Sequence, residues 1–327
     1  MTQKSILVAR AVFPEVLAKL GEHFEVESNQ SDTLWPRDEF VRRLQGKVGV
    51  FTTGGERIDA ALLAACPDLK ICANMAVGYN NFDVPAMTAA GVLATNAPDV
   101  LTETTADMGF TLLMATARRV SESEAYLRAG QWTKWSYDMF CGADIHGSTL
   151  GILGMGRIGR AVAQRGAFGF GMNVIYHNRS RLAPELEAEV KARYVSKADL
   201  FAQADHIVLV LPYSAENHHT VAAAEIALMK PTATLINIGR GGLIDENALA
   251  AALAANKILG AGLDVFEGEP KVNPALTALQ NVVLTPHIGS ASVPTRKAMA
   301  NLAADNLIGF LMHGKAKTPL NPEMLAA

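Results

Sequence analysis

Cysteine is scarce in this chain of 327 residues. Its three cysteines, Cys66, Cys72 and Cys141, form neither a Cys-x-x-Cys pair nor an even set, which excludes a disulfide framework and fits reduced thiols in a cytoplasm. Cys66 and Cys72 read as buried small hydrophobes and Cys141 as a loop residue. No apolar run approaches the roughly 20 residues needed to span a bilayer. Near the N-terminus Lys4 precedes a short apolar run, but Arg10 interrupts it and no small-residue cleavage site follows. A first strand is therefore expected there and not a signal peptide. Neither sign of charge dominates: the formal net charge is −3 with both signs interspersed, so nothing favours nucleic acid or an anionic membrane as a partner. Sequence repeats and low-complexity segments are also lacking. A soluble, cytoplasmic protein is expected.

What is present is apolar sequence in short pieces. Half of the residues are hydrophobic and 19% are charged, enough for two folded domains with their own cores. Residues 6–8, 24–27, 48–51, 69–75 and 91–94 read as strands, with helices over 14–20, 36–44 and 58–65. Such alternation implies a parallel sheet covered on both faces. A long helix is expected over 102–128, with Thr102 as N-cap and Glu103 in the first turn. The segment 130–147, with Trp132, Trp135, Tyr137 and Phe140, reads as a projecting loop. A second series has six strands, at 150–153, 173–177, 206–211, 234–238, 262–265 and 282–284, with a helix over 246–255. A last helix is expected over 294–313, followed by a polar tail.

The second series opens on Thr149-Leu-Gly-Ile-Leu-Gly154-Met-Gly156-Arg157-Ile158-Gly159-Arg160. A buried strand runs through a glycine turn into a helix, and the amphipathic stretch 160–168 and the strand 173–177 complete the unit. Gly154 permits the sharp turn, Gly156 lets the backbone approach a pyrophosphate, and Gly159 lets helix and strand pack closely. The helix N-terminus supplies N–H groups and partial positive charge to the anion. A site for an NAD-type dinucleotide usually places a carboxylate about 20 residues further on, against the ribose 2′-OH. Here that position is Asn178-Arg179-Ser180-Arg181. Two guanidiniums and a hydroxyl suit a 2′-phosphate, through bonds worth roughly 1.5–3 kcal/mol each. That would favour NADPH over NADH by about ten- to a few hundred-fold, leaving NADH as the weaker alternative.

In open parallel sheets, ligands bind outside the carboxyl ends of the strands. Three charged or titratable residues fall there: Arg240 after strand 234–238, Glu269 after 262–265, and His287 after 282–284. Singly each could be a cap or a loop residue. Together, beside a nucleotide site, they supply the parts for reducing a 2-oxo acid. Hydride arrival at a ketone carbon builds negative charge on its oxygen, which then needs a proton. Histidine, with an ordinary pKa of about 6.5, suits the acid role. A carboxylate beside it would hold the ring and stabilise its protonated form. Arginine's planar fork would take the substrate carboxylate and polarise the carbonyl. A metal site is not expected, because His218 and His219 have only Glu216 at local ligand spacing.

With these residues in view, the chain resembles the D-isomer-specific 2-hydroxyacid dehydrogenases over nearly its whole length. Within that family it is most similar to the bacterial glyoxylate/hydroxypyruvate reductases, also called 2-ketogluconate reductases. The matching segments are Ala76-Val-Gly-Tyr-Asn-Asn-Phe-Asp83, Leu101-Thr-Glu-Thr-Thr-Ala-Asp107, the glycine turn, Asn237-Ile-Gly-Arg-Gly241, Gly260-Ala-Gly-Leu-Asp-Val-Phe-Glu267 and Pro286-His-Ile-Gly-Ser-Ala291. The resemblance implies an α/β fold in which a Rossmann-type doubly wound cofactor domain (102–288) is inserted in a flavodoxin-like α/β substrate domain (1–101 and 289–327). It implies Arg240, Glu269 and His287 as catalytic residues, and substrate contacts at Val77, Gly78, Arg240, His287, Ser290 and Arg296. Implied cofactor contacts are Thr105, Gly154, Met155, Gly156, Arg157, Ile158, Gly159, Asn178, Arg179, Ser180, Arg181, Leu211, Pro212, Ile238, Gly239, Arg240, Asp264, His287 and Gly289, with Thr105 and Asp264 at the nicotinamide end.

The resemblance also implies a homodimer, with the 102–128 helix and its aromatic loop at the interface. Trp132 or Trp135 would then either reach a neighbouring active site or anchor that interface. Cleft closure would exclude water. Asn80, where many relatives carry aspartate, and Pro294 depart from the family pattern. The expected activity is NADPH-dependent reduction of glyoxylate, hydroxypyruvate or 2-ketogluconate to D-2-hydroxy acids. The alternatives are an NAD-linked D-3-phosphoglycerate or D-lactate dehydrogenase, or a non-catalytic nucleotide-sensing corepressor on the same fold.

Overall fold

A computed structural model describes residues 3–325; residues 1, 2, 326 and 327 of the expected domain ranges lie outside them. The chain divides into two compact units, Met1–Leu101 with Ala291–Ala327, and Thr102–Ser290.

In the first unit β1 (Ser5–Val8), α1 (Pro14–Gly21), β2 (Glu25–Ser28), α2 (Arg37–Leu44), β3 (Gly49–Thr52), α3 (Ala60–Ala65), β4 (Ile71–Asn74), α4 (Val84–Ala89) and β5 (Leu93–Thr95) alternate. All strand pairs are parallel, in the order β2-β1-β3-β4-β5, which is the flavodoxin-like order. β3, β4 and β5 are buried throughout, because helices cover both faces and such strands read as continuous apolar runs. Cys66 and Cys72 lie in this core, and Cys141 is exposed. Helix α3 starts two residues later than the apolar pattern predicts. Asp59 caps it by accepting the Leu62 N–H at 3.1 Å, and Ile58 instead bridges to Phe82. The short α4 escaped the sequence reading; Asp83 caps it and a proline occupies its first turn.

The second unit runs α5 (Thr102–Ala117), α6 (Val120–Arg128), β6 (Thr149–Leu153), α7 (Arg157–Gln164), β7 (Asn173–His177), α8 (Pro184–Glu189), β8 (Ala192–Tyr194), α9 (Lys197–Gln203), β9 (His206–Leu209), α10 (Ala223–Leu228), β10 (Thr234–Asn237), α11 (Glu246–Ala254), β11 (Gly260–Leu263), α12 (Pro274–Thr277) and β12 (Val282–Leu284). The all-parallel sheet has the order β12-β11-β10-β9-β6-β7-β8. Counted from β6, this is the Rossmann order with one further strand at the β12 edge. The order reverses between β6 and β9, which opens a crevice directly beyond the glycine turn.

Two expectations are corrected here. The second sheet has seven strands and not six: β8, paired to β7, is a short edge strand without a buried apolar run. The single helix over 102–128 is two helices. Arg119 adopts the left-handed conformation (φ 52°), and its guanidinium is fixed there by both oxygens of Glu122 at 2.8 Å. Residues 130–147 contain no helix or strand. Trp132, Trp135 and Tyr137 are exposed, whereas Phe140 packs edge-on against Tyr126.

Helix α13 (Val293–His313) belongs to the first unit and packs on β3, β4 and α1. Ser292 caps it, and Pro294 sits in its first turn, where proline's missing N–H removes no helical hydrogen bond. Pro294 therefore fits the start of the helix. No helix among the described residues is long and apolar enough to cross a membrane.

Candidate active site

Two glycines of the turn answer steric demands within the chain, and the third stands open. Gly154 has φ +104°, and a Cβ there would lie 2.9 Å from the Val210 carbonyl carbon and 3.0 Å from the Leu211 nitrogen, on the neighbouring strand end. A Cβ on Gly159 would lie 2.3 Å from the Gly154 oxygen, so α7 meets β6 at backbone contact. Around Gly156 nothing lies within 4 Å of such a carbon. Gly156 is also the N-cap of α7 and supplies no side-chain acceptor to the first turn. A tight turn, a close helix–strand contact and an open glycine at an uncapped helix start fit a dinucleotide pyrophosphate. Arg157 is exposed and Ile158 half-buried at this opening, while Met155 is fully buried. Leu211 and Pro212 follow β9 across the crevice.

Beyond β7, the four residues 178–181 do not act as one basic loop. The side-chain oxygen of Asn178 accepts the Met155 N–H at 2.6 Å, which ties this loop to the glycine turn. Arg179 and Ser180 are exposed. Arg181 is engaged: its guanidinium donates to both oxygens of Glu187 on α8, at 2.9 and 2.7 Å. Tyr176 donates to the same carboxylate at 2.6 Å and accepts the Leu182 N–H. Arg181 first, then Tyr176, hold the Glu187 carboxyl down to about 2 against an ordinary 4.5. Burial, with Glu187 adding to it, pushes the Tyr176 hydroxyl up to about 12. Residues 178–181 hold no carboxylate, but Glu187, six residues beyond Arg181, already holds one of the two guanidiniums.

The three strand-end residues fall within the second unit. His287 follows β12 with φ +53°, an uncommon conformation for a residue with a Cβ. Its Nδ1 lies 2.7 Å from Glu269 Oε2, and Glu269 Oε1 accepts the Phe266 N–H at 2.8 Å. Burial alone would raise the Glu269 carboxyl. It is outweighed by the hydrogen bonds from His287 and Phe266 and by the charges of His287 and Arg240, so the carboxyl falls below its usual range. Arg240, half-buried after β10, donates to the Gly239 oxygen at 2.7 Å. Burial lowers its pKa while Glu269 raises it; an arginine so placed stays charged.

Two residues hold this constellation from behind. Asn237, at the end of β10, accepts the Gly239 N–H and donates to the Arg240 oxygen, at 3.0 and 2.8 Å. Asp264, only 2% exposed, accepts from Thr285 Oγ1 and the Ile288 N–H with one oxygen and from the Gly289 N–H with the other, all within 2.8 Å. It also supplies the carbonyl that accepts the His287 N–H at 2.9 Å. Thr105, buried on α5, lies close to Gly289. Asp264, expected at the nicotinamide end, is thus bound to the Thr285 side chain before His287 and to the backbone after it. Ile238 and Gly239 are buried, and Ser290 is half-buried.

In the first unit, Val77 and Gly78 follow β4. Their carbonyls accept from the side chains of Asn96 (2.8 Å) and Asn74 (2.9 Å), which fixes the turn, and Asn80 is exposed. Arg296 lies in the first turn of α13.

Glu187, Asn237 and Glu267 are the residues that the sequence reading passed over. Asn237 stands inside a motif already singled out, so its polar side chain at a buried strand end was the available signal. Glu267 likewise ends a motif already singled out, whereas Glu187 left no signal, because it meets its partners only through the fold. Glu267 comes within 2.9 Å of His219 and 3.9 Å of His218.

Residues 110–289 match the family model described as D-isomer specific 2-hydroxyacid dehydrogenase, NAD binding domain. The chain is 44% identical over 324 residues to a glyoxylate reductase of Thermococcus gammatolerans, covering 98% of this chain and 96% of that one. It is 45% identical over 325 residues to glyoxylate/hydroxypyruvate reductase B of Klebsiella pneumoniae, covering 98% and 99%. Among solved structures it is similar to the NADPH-dependent glyoxylate/hydroxypyruvate reductase of Sinorhizobium meliloti in complex with NADP and malonate. That match has a TM-score of 0.85 and 36% identity, covering 98% and 97%. The chain belongs to the D-isomer specific 2-hydroxyacid dehydrogenase family. Its two all-parallel sheets and its Rossmann-ordered second unit are those of a D-2-hydroxyacid dehydrogenase.

Proposed function

We propose that this chain reduces small 2-oxo acids (glyoxylate, hydroxypyruvate, 2-ketogluconate) to D-2-hydroxy acids with NADPH. The carrying observation is the 2.7 Å bond between His287 and Glu269 on strand ends beside Arg240. Relatives named glyoxylate and glyoxylate/hydroxypyruvate reductases support the substrate class. In this reading the Thr102–Ser290 unit serves the cofactor and the other unit the substrate.

When bound, the reduced nicotinamide supplies the hydride to the carbonyl carbon. Glu269 holds His287 through Nδ1, so the proton passes to the new alkoxide from Nε2. Arg240 clamps the substrate carboxylate and polarises the carbonyl, and Val77, Gly78, Ser290 and Arg296 are proposed as further substrate contacts. Gly154, Gly156 and Gly159 with the start of α7 hold the pyrophosphate, and Thr105 and Gly289 line the nicotinamide end. Asn178, Arg179 and Ser180 take the 2′-phosphate, with Arg181 joining only if it leaves or shares Glu187. A cytoplasmic homodimer is part of this reading, supported by the exposed Trp132, Trp135 and Tyr137.

The Arg181–Glu187 pair favours a second reading, in which NADH is used comparably well. Measuring kcat/KM for NADPH and NADH side by side separates the two. A preference of about tenfold or more for NADPH is expected from one remaining charge-assisted bond; a ratio near one supports the second reading, and no turnover with any of the three acids overturns both.

A further inference from the structure

We propose that His218, His219 and Glu267 form a binding site for one divalent transition-metal ion of the zinc, cobalt or nickel class. One ligand atom from each residue can be chosen so that all lie within 4.8 Å of one another. His219 Nε2 is 2.9 Å from one oxygen of Glu267, and His218 Nε2 is 3.9 Å from the other. Tetrahedral zinc with bonds of ~2.0–2.1 Å separates its donors by about 3.3 Å, so the three donors already stand near ligand spacing, and the two stacked rings must splay apart for both lone pairs to meet one ion. A simple histidine–carboxylate hydrogen bond accounts for His219 alone. It leaves unexplained why His218, too far for such a bond, stacks on His219 at 3.7 Å with its Nε2 toward the same carboxylate.

The surroundings are those of a prepared site. His218 Nδ1 lies 3.2 Å from the Tyr213 hydroxyl; with its proton on Nδ1 and donated to Tyr213, the Nε2 lone pair is left for a metal, the outer contact metal-bound histidines make. His219 has a left-handed backbone (φ +50°), held by its N–H bond to the Gly242 oxygen at 2.8 Å. Glu267 is fixed by its N–H bond to Glu246 at 2.7 Å. Its backbone also presses on Gly241, where a Cβ would lie 1.8 Å from the Phe266 carbonyl carbon. Two imidazoles and one carboxylate suit borderline-soft ions and disfavour magnesium and calcium. The three side chains are between a third and a half exposed, which leaves positions for water on the ion.

The site shares no residue with the His287–Glu269 pair and stands whether or not the chain reduces 2-oxo acids. The test is titration of tag-free wild-type protein with cobalt chloride, read by its ligand-field absorption, and equilibrium dialysis against zinc chloride. One ion per chain is expected, with millimolar magnesium failing to compete. His218→Ala, His219→Ala and Glu267→Gln should each weaken zinc binding by about 10- to 100-fold or more, and Tyr213→Phe by about tenfold, with Glu216→Gln unchanged. Absence of stoichiometric cobalt or zinc binding to wild type overturns the proposal. So does binding that survives both His219→Ala and Glu267→Gln in variants whose melting temperature is unaltered.

Discussion

Replacing Asp264 by asparagine tests whether this carboxylate acts by holding the His287 loop or only by touching bound cofactor. The amide fits the same buried space and can still accept from Thr285 and the Ile288 N–H. It then turns its NH₂ toward the Gly289 N–H, now 2.7 Å from an oxygen. One bond to a charged acceptor, worth roughly 1.5–3 kcal/mol, is lost and a buried N–H is left unsatisfied. The other two bonds drop from charged to neutral acceptors, which are about half as strong. Relaxation recovers part of this, leaving a loss of about 3 kcal/mol. For a unit the size of Thr102–Ser290 this lowers the melting temperature by roughly 6–12 °C. Because His287 rides on the same loop, a shift of about 1 Å should also lower kcat by about 10²-fold. Calorimetry of cofactor-free protein and steady-state NADPH oxidation with glyoxylate read the two effects. A cofactor-free melting temperature within about 1 °C of wild type would refute the holding role and return Asp264 to the cofactor.

Three further outcomes are expected. Glu269→Gln should lower kcat by about 10²-fold or more with little change in the KM for NADPH, read by steady-state kinetics; an unchanged kcat removes Glu269 from the proton path. Arg179→Ala should raise the KM for NADPH by about tenfold and leave that for NADH unaltered. Arg181→Ala should change the NADPH value less, because Glu187 already holds that guanidinium, and the reverse ranking means Arg181 leaves Glu187 for the cofactor. Glu187 has a carboxyl pKa depressed in the folded chain, from 4.5 to about 2. Its stabilisation is therefore fully present above about pH 4.5 and is lost as pH falls toward 2. Urea unfolding of wild type and Glu187→Gln should show a stability gap that closes over that window; a gap constant with pH contradicts the assignment.

The parts of the fold legible in the sequence are those where one local requirement acts alone. Buried parallel strands are continuous apolar runs, so β3, β4, β9 and β10 stand out. The glycine turn is legible because Gly154 and Gly159 each answer a separate steric demand, and both demands are visible in the packing. What escaped carries no local pattern of its own. β8 has three residues on a sheet edge, and only its pairing with β7 makes it a strand. The break between α5 and α6 occurs at Arg119, an arginine in a conformation that usually selects glycine, so no composition signal marks it.

At the candidate site, the adjacency of Arg240, Glu269 and His287 followed from their positions at strand ends, since a parallel sheet brings such ends to one side. Glu269 holding the His287 ring followed from the same reading, but the support behind them from Asn237 and Asp264 did not. Asp264 reads as another polar residue at a strand end, and only the structure shows both its oxygens bound to the 285–289 segment. The Arg179/Arg181 loop was read from spacing within β7 and its turn, where no carboxylate occurs; Glu187 arrives from α8. Glu267 likewise meets His218 and His219 across 48 residues of chain.

The most direct measurement compares single-turnover NADPH oxidation by wild type and His287→Ala with glyoxylate, alongside NADPH binding by fluorescence. With His287 as the proton donor, the variant should bind NADPH within about twofold of wild type while its turnover falls by about 10²- to 10⁴-fold. A variant that binds NADPH and keeps most of its turnover would contradict the acid assignment.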